Sequence, residues 1–434
     1  MNGRMEPADV YTKLQRIAEL ARRVPDRALT SLGRIDIDWL KEAYRLTRKD
    51  GAVGVDGVAA EQYAASLDAN LQSLLERVRT ASYVAPPVRR VHIPKDGGTR
   101  PIGIPTFEDK VLQRAYAMML EAVYEQEFLN CSYGFRPGRS AHQALDSFWK
   151  QTMAMGGGWV LELDIRSYYD TLDHGQLRQI IERRIRDGAV LRHIGKWLKA
   201  GVMEERRVRH PERGTPQGGV ISPILSNIYL HEVLDVWFER EVQPRLKGRA
   251  FLIRYADDAV LGFSLEEDAR RVLEVLSKRF ERYGLTLHPE KTRLVRFEPK
   301  RHDGGNDPGT FDFLGFTHYW GKSRKGKAII KRKTASKRLR RAVTRVSQWC
   351  RKHRHERLRT QHQGLARRIR GHYGYYGITG NSRMLAKFWH TTERVWQRWL
   401  SRRSQRATIK WERFKQLLRV FPLPSPRIVH SNYR

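Results

Sequence analysis

Apolar residues recur along this chain with two different periods, and the points where the period changes predict its elements. Ile37 to Thr47 and Leu67 to Arg79 read as amphipathic helices, separated by the glycine-rich turn Gly51-Ala-Val-Gly-Val-Asp-Gly57. Val88 to Ile104 reads as two strand-like runs joined by Asp96-Gly97-Gly98, a strong hairpin signal. Residues 107–129 return to helical spacing, with Val111, Leu112, Ala115, Met119, Leu120 and Val123 on one side, and another helix begins at Ala141. Trp159 to Asp164 has the pattern of a buried strand running into a helix start. Phe251 to Phe263 places Asp257 and Asp258 between two short apolar runs, a hairpin with acid at its tip. Glu266 to Tyr283 is an amphipathic helix, strands follow near Thr286 and over Thr292 to Phe297, and Phe311 to Phe316 reads as a strand pair with a close backbone contact at Gly315. From Ala335 to Arg351, Leu339, Val343, Val346 and Trp349 recur at helical spacing among Arg and Lys. Helices alternating with mostly antiparallel hairpins give an α+β class.

Charge changes this picture at one end. The 434 residues carry a net +35 with a pI near 10.5, and 40% hydrophobic content supports two or three domains with cores. Residues 321–434 hold 33 of the 82 Lys and Arg but 3 of the 47 Asp and Glu, so nearly all the excess lies there. Trp349, Trp389, Trp396, Trp399 and Trp411 are unsuited to a solvated tail, so this segment reads as a folded basic domain with a polyanionic partner, nucleic acid first. Cys131 and Cys350 support neither a disulfide framework nor a Cys-based zinc module, and they fit a reducing cytosol. With no export-type leader and no apolar run near 18 residues, a soluble, unexported protein without a membrane partner is expected.

The candidate chemistry centres on the acids. Adjacent carboxylates resist burial unless hard cations neutralise them, so Asp257 and Asp258 point to Mg²⁺, and Asp164 completes a three-carboxylate cage. Such a cage holds two ions that steady the attacking and leaving oxygens of a phosphoryl displacement. A solvated turn is the plain alternative, and the apolar runs on both sides argue against it. Lys95 and Arg100 flank their hairpin turn and suit a triphosphate, or are ordinary solubilising charges. Arg136 and Arg139, in Ser132-Tyr-Gly-Phe-Arg-Pro-Gly-Arg-Ser140, suit phosphate contact or are merely exposed. Tyr169 lies five residues past Asp164, near enough to admit or exclude a sugar 2′-hydroxyl, while one of Tyr168 and Tyr169 packs in the core. Gln217 is displayed on the Gly/Pro loop that opens at Gly214. The stretch Gly371-His-Tyr-Gly-Tyr-Tyr-Gly377 suits stacking on bases or packing between helices.

Taken in order, Arg100-Pro-Ile-Gly-Ile-Pro-Thr106, Tyr133-Gly-Phe-Arg-Pro-Gly-Arg-Ser140, Asp164-Ile-Arg-Ser-Tyr-Tyr-Asp170, Gly214-Thr-Pro-Gln-Gly-Gly-Val-Ile-Ser222, Tyr255-Ala-Asp-Asp258 and Phe313-Leu-Gly-Phe316 form a set. The chain resembles the bacterial group II intron reverse transcriptase/maturases from about residue 40 to its end. The resemblance implies a right-hand polymerase: an N-terminal helical extension and start of the fingers over 1–80, fingers and palm with antiparallel sheet over 81–320, a basic all-helical thumb or maturase domain over 321–400, and a short basic DNA-binding-like segment over 401–434. It implies Asp164, Asp257 and Asp258, with Ile165, as the metal site for two Mg²⁺, and Lys95, Arg100, Tyr169 and Gln217 around the incoming nucleotide. Phe313, Leu314, Gly315 and Phe316 resemble the primer grip, and Arg136, Arg139, Lys331, Arg332, Lys333, Lys337 and Arg338 are expected on RNA. The family usually carries Phe where Tyr169 stands, and many members end in a Cys-rich endonuclease, so an endonuclease-lacking type is expected. The implied partners are group II intron RNA, an RNA template with a DNA primer, dNTPs and target DNA, in a bacterial cytoplasm. A splicing-only RNA-binding maturase and a domesticated reverse transcriptase of a defence, CRISPR-linked or diversity-generating system are the alternatives.

Overall fold

A computed structural model describes residues 8–95, 98–204, 207–209, 214, 218–300, 309–404 and 408–431. The chain divides into two compact units, one of residues 1–144, 163–261 and 267–293, the other of 145–162, 262–266 and 294–434.

The first unit is built around the helix Phe107–Tyr124, whose buried face runs from Phe107 through Leu112, Met119 and Tyr124. Thr106 caps it by accepting the Asp109 N–H at 3.2 Å, satisfying one of the donors a helix start leaves open. The helices Ala8–Arg23 and Ile37–Leu46 pack on it, and Trp39 Nε1 donates to the Ala115 carbonyl at 3.0 Å. The hairpin of strands Val88–Lys95 and Gly98–Ile104 forms as expected, with Arg89 opposite Ile104 and Lys95 opposite Gly98. Val202–Glu204 joins Val88–Lys95 in parallel, and Arg207–Arg209 completes that four-stranded sheet.

A second four-stranded sheet has the order Ala250–Tyr255, Asp258–Phe263, Gly158–Leu163, Arg293–Phe297. Gly158 adopts φ +138°, and a Cβ there would lie 2.1 Å from the Phe263 carbonyl oxygen, so only glycine fits. The first residue of one strand thus meets the last residue of its neighbour, which makes the pair antiparallel.

In the second unit, Phe311–Phe313, Phe316–Lys322 and Ala328–Thr334 form an antiparallel sheet, followed by helices Ser336–Lys352, Leu358–Tyr376, Ser382–Leu400 and Trp411–Val420. Leu339, Leu365, Tyr373, Phe388, Trp396, Phe414 and Leu423 share one core. Two expectations change here. The helical part of the basic region starts at Ser336 rather than at residue 321, because the strand Phe316–Lys322 crosses that boundary and Ala328–Thr334 follows it. Residues 401–434 are not a segment apart, because Phe414 and Leu423 lie in the same core as Trp396. The Gly371–Gly377 stretch ends a helix, with Tyr373 fully buried and donating to the Pro424 carbonyl at 3.1 Å, so packing explains it. Among the described residues no helix is long and apolar enough to cross a membrane.

Candidate functional site

The acids gather through strand register. Gly158 meets Phe263 in an antiparallel pair of six-residue strands, so Gly158–Leu163 ends where Asp258–Phe263 begins, and Asp164 and Asp257 are the residues that directly follow and precede those strand ends. Asp164 leaves the strand end where its carbonyl accepts the His288 N–H at 2.8 Å, and Ile165 is buried in a bridge with Leu287. Ser167 then takes a left-handed φ of +47°, which turns the chain sharply into the short helix Tyr168–Thr171. On the other side, Ala256 takes φ +58° in the two-residue turn ahead of Asp258. Asp257 is half-buried and Asp258 exposed.

A positive charge already faces these acids, since Lys291 Nζ lies 3.7 Å from Asp164 Oδ1. Both side chains are substantially exposed, so the pair adds little to stability. Among the described residues no three His, Cys, Asp or Glu side chains are drawn into a ready coordination cluster.

Buried groups fix the turn from behind. Arg254, fully buried, donates from Nε to Asp235 Oδ1 at 2.7 Å and from Nη2 to Asp235 Oδ2 at 2.5 Å. Its Nη1 reaches Asn227 Oδ1 at 2.9 Å and the Ala256 carbonyl at 3.1 Å, gripping the strained residue next to Asp257. Asp235 comes from a π-helical stretch, His231–Val236, a rare wide turn frequently found at functional sites. Burial alone drives the Asp235 carboxyl up, yet the Arg254 charge and hydrogen bonds outweigh it and hold the group below the usual range.

The expected nucleotide residues converge in part. Tyr169 is 9% exposed with its ring edge-on to Tyr168. Burial pushes its hydroxyl above the ordinary value, the nearby Asp257 charge adds to this, and Arg100 opposes it, so all three stand within electrostatic reach. Tyr168 is the core member, donating to the Ser226 carbonyl at 3.0 Å. Gln217 lies outside the described residues, as does the side chain of Lys95, but both ends of the Gln217 loop are pinned. A Cβ on Gly214 would meet the Tyr169 carbonyl at 2.8 Å, and one on Gly218 would meet the Gly103 carbonyl at 2.6 Å, on the strand that carries Arg100. The Val220 and Ile221 N–H groups donate to Gln113 Oε1, whose amide nitrogen in turn donates to buried Asp109.

Three readings of the cationic and aromatic residues are corrected. Arg136 is not on offer to RNA: its guanidinium is buried, pairs with Glu125 and donates to the Leu129, Ser132 and Phe128 carbonyls. Arg332 is buried on its strand, where desolvation lowers its pKa, whereas Lys333, Lys337 and Arg338 are exposed and Lys331 half-buried. Phe313 and Phe316 face the core, Phe316 stacking with Tyr375 at 5.8 Å, so they support the turn and only Leu314 and Gly315 are accessible to a ligand. Arg139 stays half-exposed, bonded to Asn130 at 2.7 Å and 5.3 Å from the Tyr133 ring. Sequence reasoning passed over Asn227, Asp235 and Arg254. The available signal was one cation inside the otherwise apolar strand Ala250–Tyr255, which demands a buried partner.

Comparison with known proteins bears on this geometry. A family model described as reverse transcriptase (RNA-dependent DNA polymerase) matches residues 93–318. The chain is 35% identical over 333 residues to protein YkfC of Escherichia coli K12, covering 68% of this chain and 83% of that protein. It is 33% identical over 299 residues to the group II intron-encoded protein LtrA of Lactococcus lactis subsp. cremoris, covering 65% of this chain and 49% of LtrA. It is 24% identical over 295 residues to nuclear intron maturase 4, mitochondrial, of Arabidopsis thaliana, covering 64% and 34%. The aligned region thus spans most of YkfC, about half of LtrA and a third of the plant protein.

Proposed function

We propose, for a chain that belongs to the reverse transcriptase (RNA-dependent DNA polymerase) family and resembles group II intron-encoded proteins within it, that it copies intron RNA into DNA and, as a maturase, binds that RNA to assist splicing and mobility. In the reaction a primer 3′-oxygen attacks the α-phosphorus of a dNTP, the bond to the β-phosphate oxygen breaks, and pyrophosphate leaves. The antiparallel pairing that ends the strand before Asp164 at the start of the strand after Asp257 supports this reading.

Asp164, Asp257 and Asp258, with the Ile165 carbonyl, are the groups that would hold two Mg²⁺. The donor set fits, because hard cations take oxygen ligands, and the Lys291 ammonium 3.7 Å from Asp164 is consistent with a cation there. Bound there, such ions supply Lewis acidity to the attacking oxygen and neutralise charge on the leaving one. The chain's own groups do the positioning. Arg254 holds the carbonyl beside Asp257, Arg100 and Lys95 offer cations to the triphosphate, and the Tyr169 ring bounds the sugar on its 2′ side. Gln217 is a candidate contact for the nucleotide, and Leu314 and Gly315 are candidate contacts for the primer. Arg139, Lys331, Lys333, Lys337 and Arg338 present charge to RNA phosphates, and target DNA is a further partner.

Primer extension on an RNA template by an Asp257→Asn preparation tests the assignment. Loss of at least about 10²-fold in rate is expected from removing one charge at the reacting centre. Extension at the parent rate would end the polymerase reading of this turn.

A further inference from the structure

Phe135 lies between two anchored residues, Gly134 and Arg136. It is 56% exposed, yet it is held in the left-handed region at φ +58°, which L-residues with a large side chain rarely adopt. Strain of this kind persists only where the surroundings impose it, and they do so on both sides. Before it, Gly134 is clamped. Its carbonyl accepts Asn227 Nδ2 at 2.7 Å, and a Cβ there would lie 2.2 Å from the Ala256 backbone nitrogen. After it, Arg136 is locked by its buried bonds to Glu125 and to the Leu129 and Ser132 carbonyls. Among the described residues no aromatic or cationic side chain stacks on the Phe135 ring.

The ring is thus held more than half exposed, one residue from a glycine that touches the residue preceding Asp257. A ring left more than half exposed gains little for folding, and relaxing the backbone would need only a glycine at 135. We propose that Phe135 is a stacking platform for a base of the nucleic-acid strand that passes the Asp257–Asp258 turn. Arg139, four residues on, half-exposed and lying over the Tyr133 ring, puts a cation in the same loop, which favours a nucleic acid over an apolar protein partner. This rests on the polymerase reading of the turn and adds a substrate contact to it.

The test compares the full chain with Phe135→Gly, Phe135→Ala and Phe135→Trp. Binding of an RNA template annealed to a DNA primer is titrated without dNTP, and thermal stability is measured alongside. Glycine relieves the left-handed strain, so Phe135→Gly should melt at or above the parent temperature while binding about 5- to 150-fold more weakly, the range expected for one lost base stack. Phe135→Trp should retain binding. Placing an abasic residue at successive positions near the primer end should weaken the parent at one position and leave Phe135→Gly indifferent there. Unchanged binding by Phe135→Gly overturns the proposal, and so does a lowered melting temperature, which would make the ring structural. Failure of the polymerase reading is separate, since it shows as continued extension by Asp257→Asn whatever Phe135 does.

Discussion

Removing Asp235 isolates the contribution of the buried pair that holds the Asp257–Asp258 turn. Asp235 and Arg254 have fully buried side chains joined by two hydrogen bonds, and Arg254 Nη1 donates to Asn227 and the Ala256 carbonyl. In Asp235→Ala the guanidinium stays buried without its counter-charge, and breaking a pair of this kind costs about 3–5 kcal/mol. For a unit of this size that lowers the melting temperature by roughly 10 °C, measurable by tryptophan fluorescence. The double replacement Asp235→Leu with Arg254→Met removes both charges, and such swaps are often neutral or stabilising by about 1–4 kcal/mol, so most of the stability should return. Activity should not return with it. The Ala256 carbonyl then lacks its donor and the φ +58° turn loses its clamp, so primer extension should fall by about 10²-fold, the scale of a small misplacement at a reacting centre. A double variant as active as the parent would refute the positioning role. An Asp235→Ala protein that melts within about 2 °C of the parent, a shift worth less than about 1 kcal/mol, would refute the energetic argument.

Other outcomes follow from the same structure. His318 is fully buried against Phe311 and Phe148, and burial, with Arg332 nearby, lowers its pKa from 6.5 to about 3. Its folded pKa lies below the unfolded one, so its contribution is present above pH 6.5 and is lost as pH falls toward 3. His318→Phe should therefore remove about 2 kcal/mol of the stability lost between pH 7 and pH 5, read from urea unfolding at the two pH values. Replacing exposed Lys333, Lys337 and Arg338 together by glutamine should flatten the salt dependence of intron RNA binding by up to about three counterions, one per phosphate contact removed, and an unchanged slope places the RNA surface elsewhere. Splicing assayed with Asp257→Asn should survive while cDNA synthesis fails, and loss of both would tie the maturase role to the catalytic turn.

Much of this protein is legible in its residues alone. Short apolar runs around Asp257 and Asp258, the Asp-Gly-Gly turn after Lys95 and the helical spacing after Ala335 are local patterns, and local sterics and burial turn them into the hairpins and helices observed. The ordered motifs carried the family for the same reason, since each is a contiguous set of residues. What the chain could not state is which distant groups meet. Arg136 and Arg139 stand three residues apart in one loop and look alike as letters, yet one is spent on Glu125 and three carbonyls while the other stays half-exposed. Arg332 reads like Lys331 and Lys333, but strand alternation turns it inward. Arg254, Asp235 and Asn227 are far enough apart in sequence that only tertiary packing assigns them to one another and to the turn. Pattern sets where a segment bends and which face is apolar. Burial, a property of the assembled chain, decides which charges are free to act.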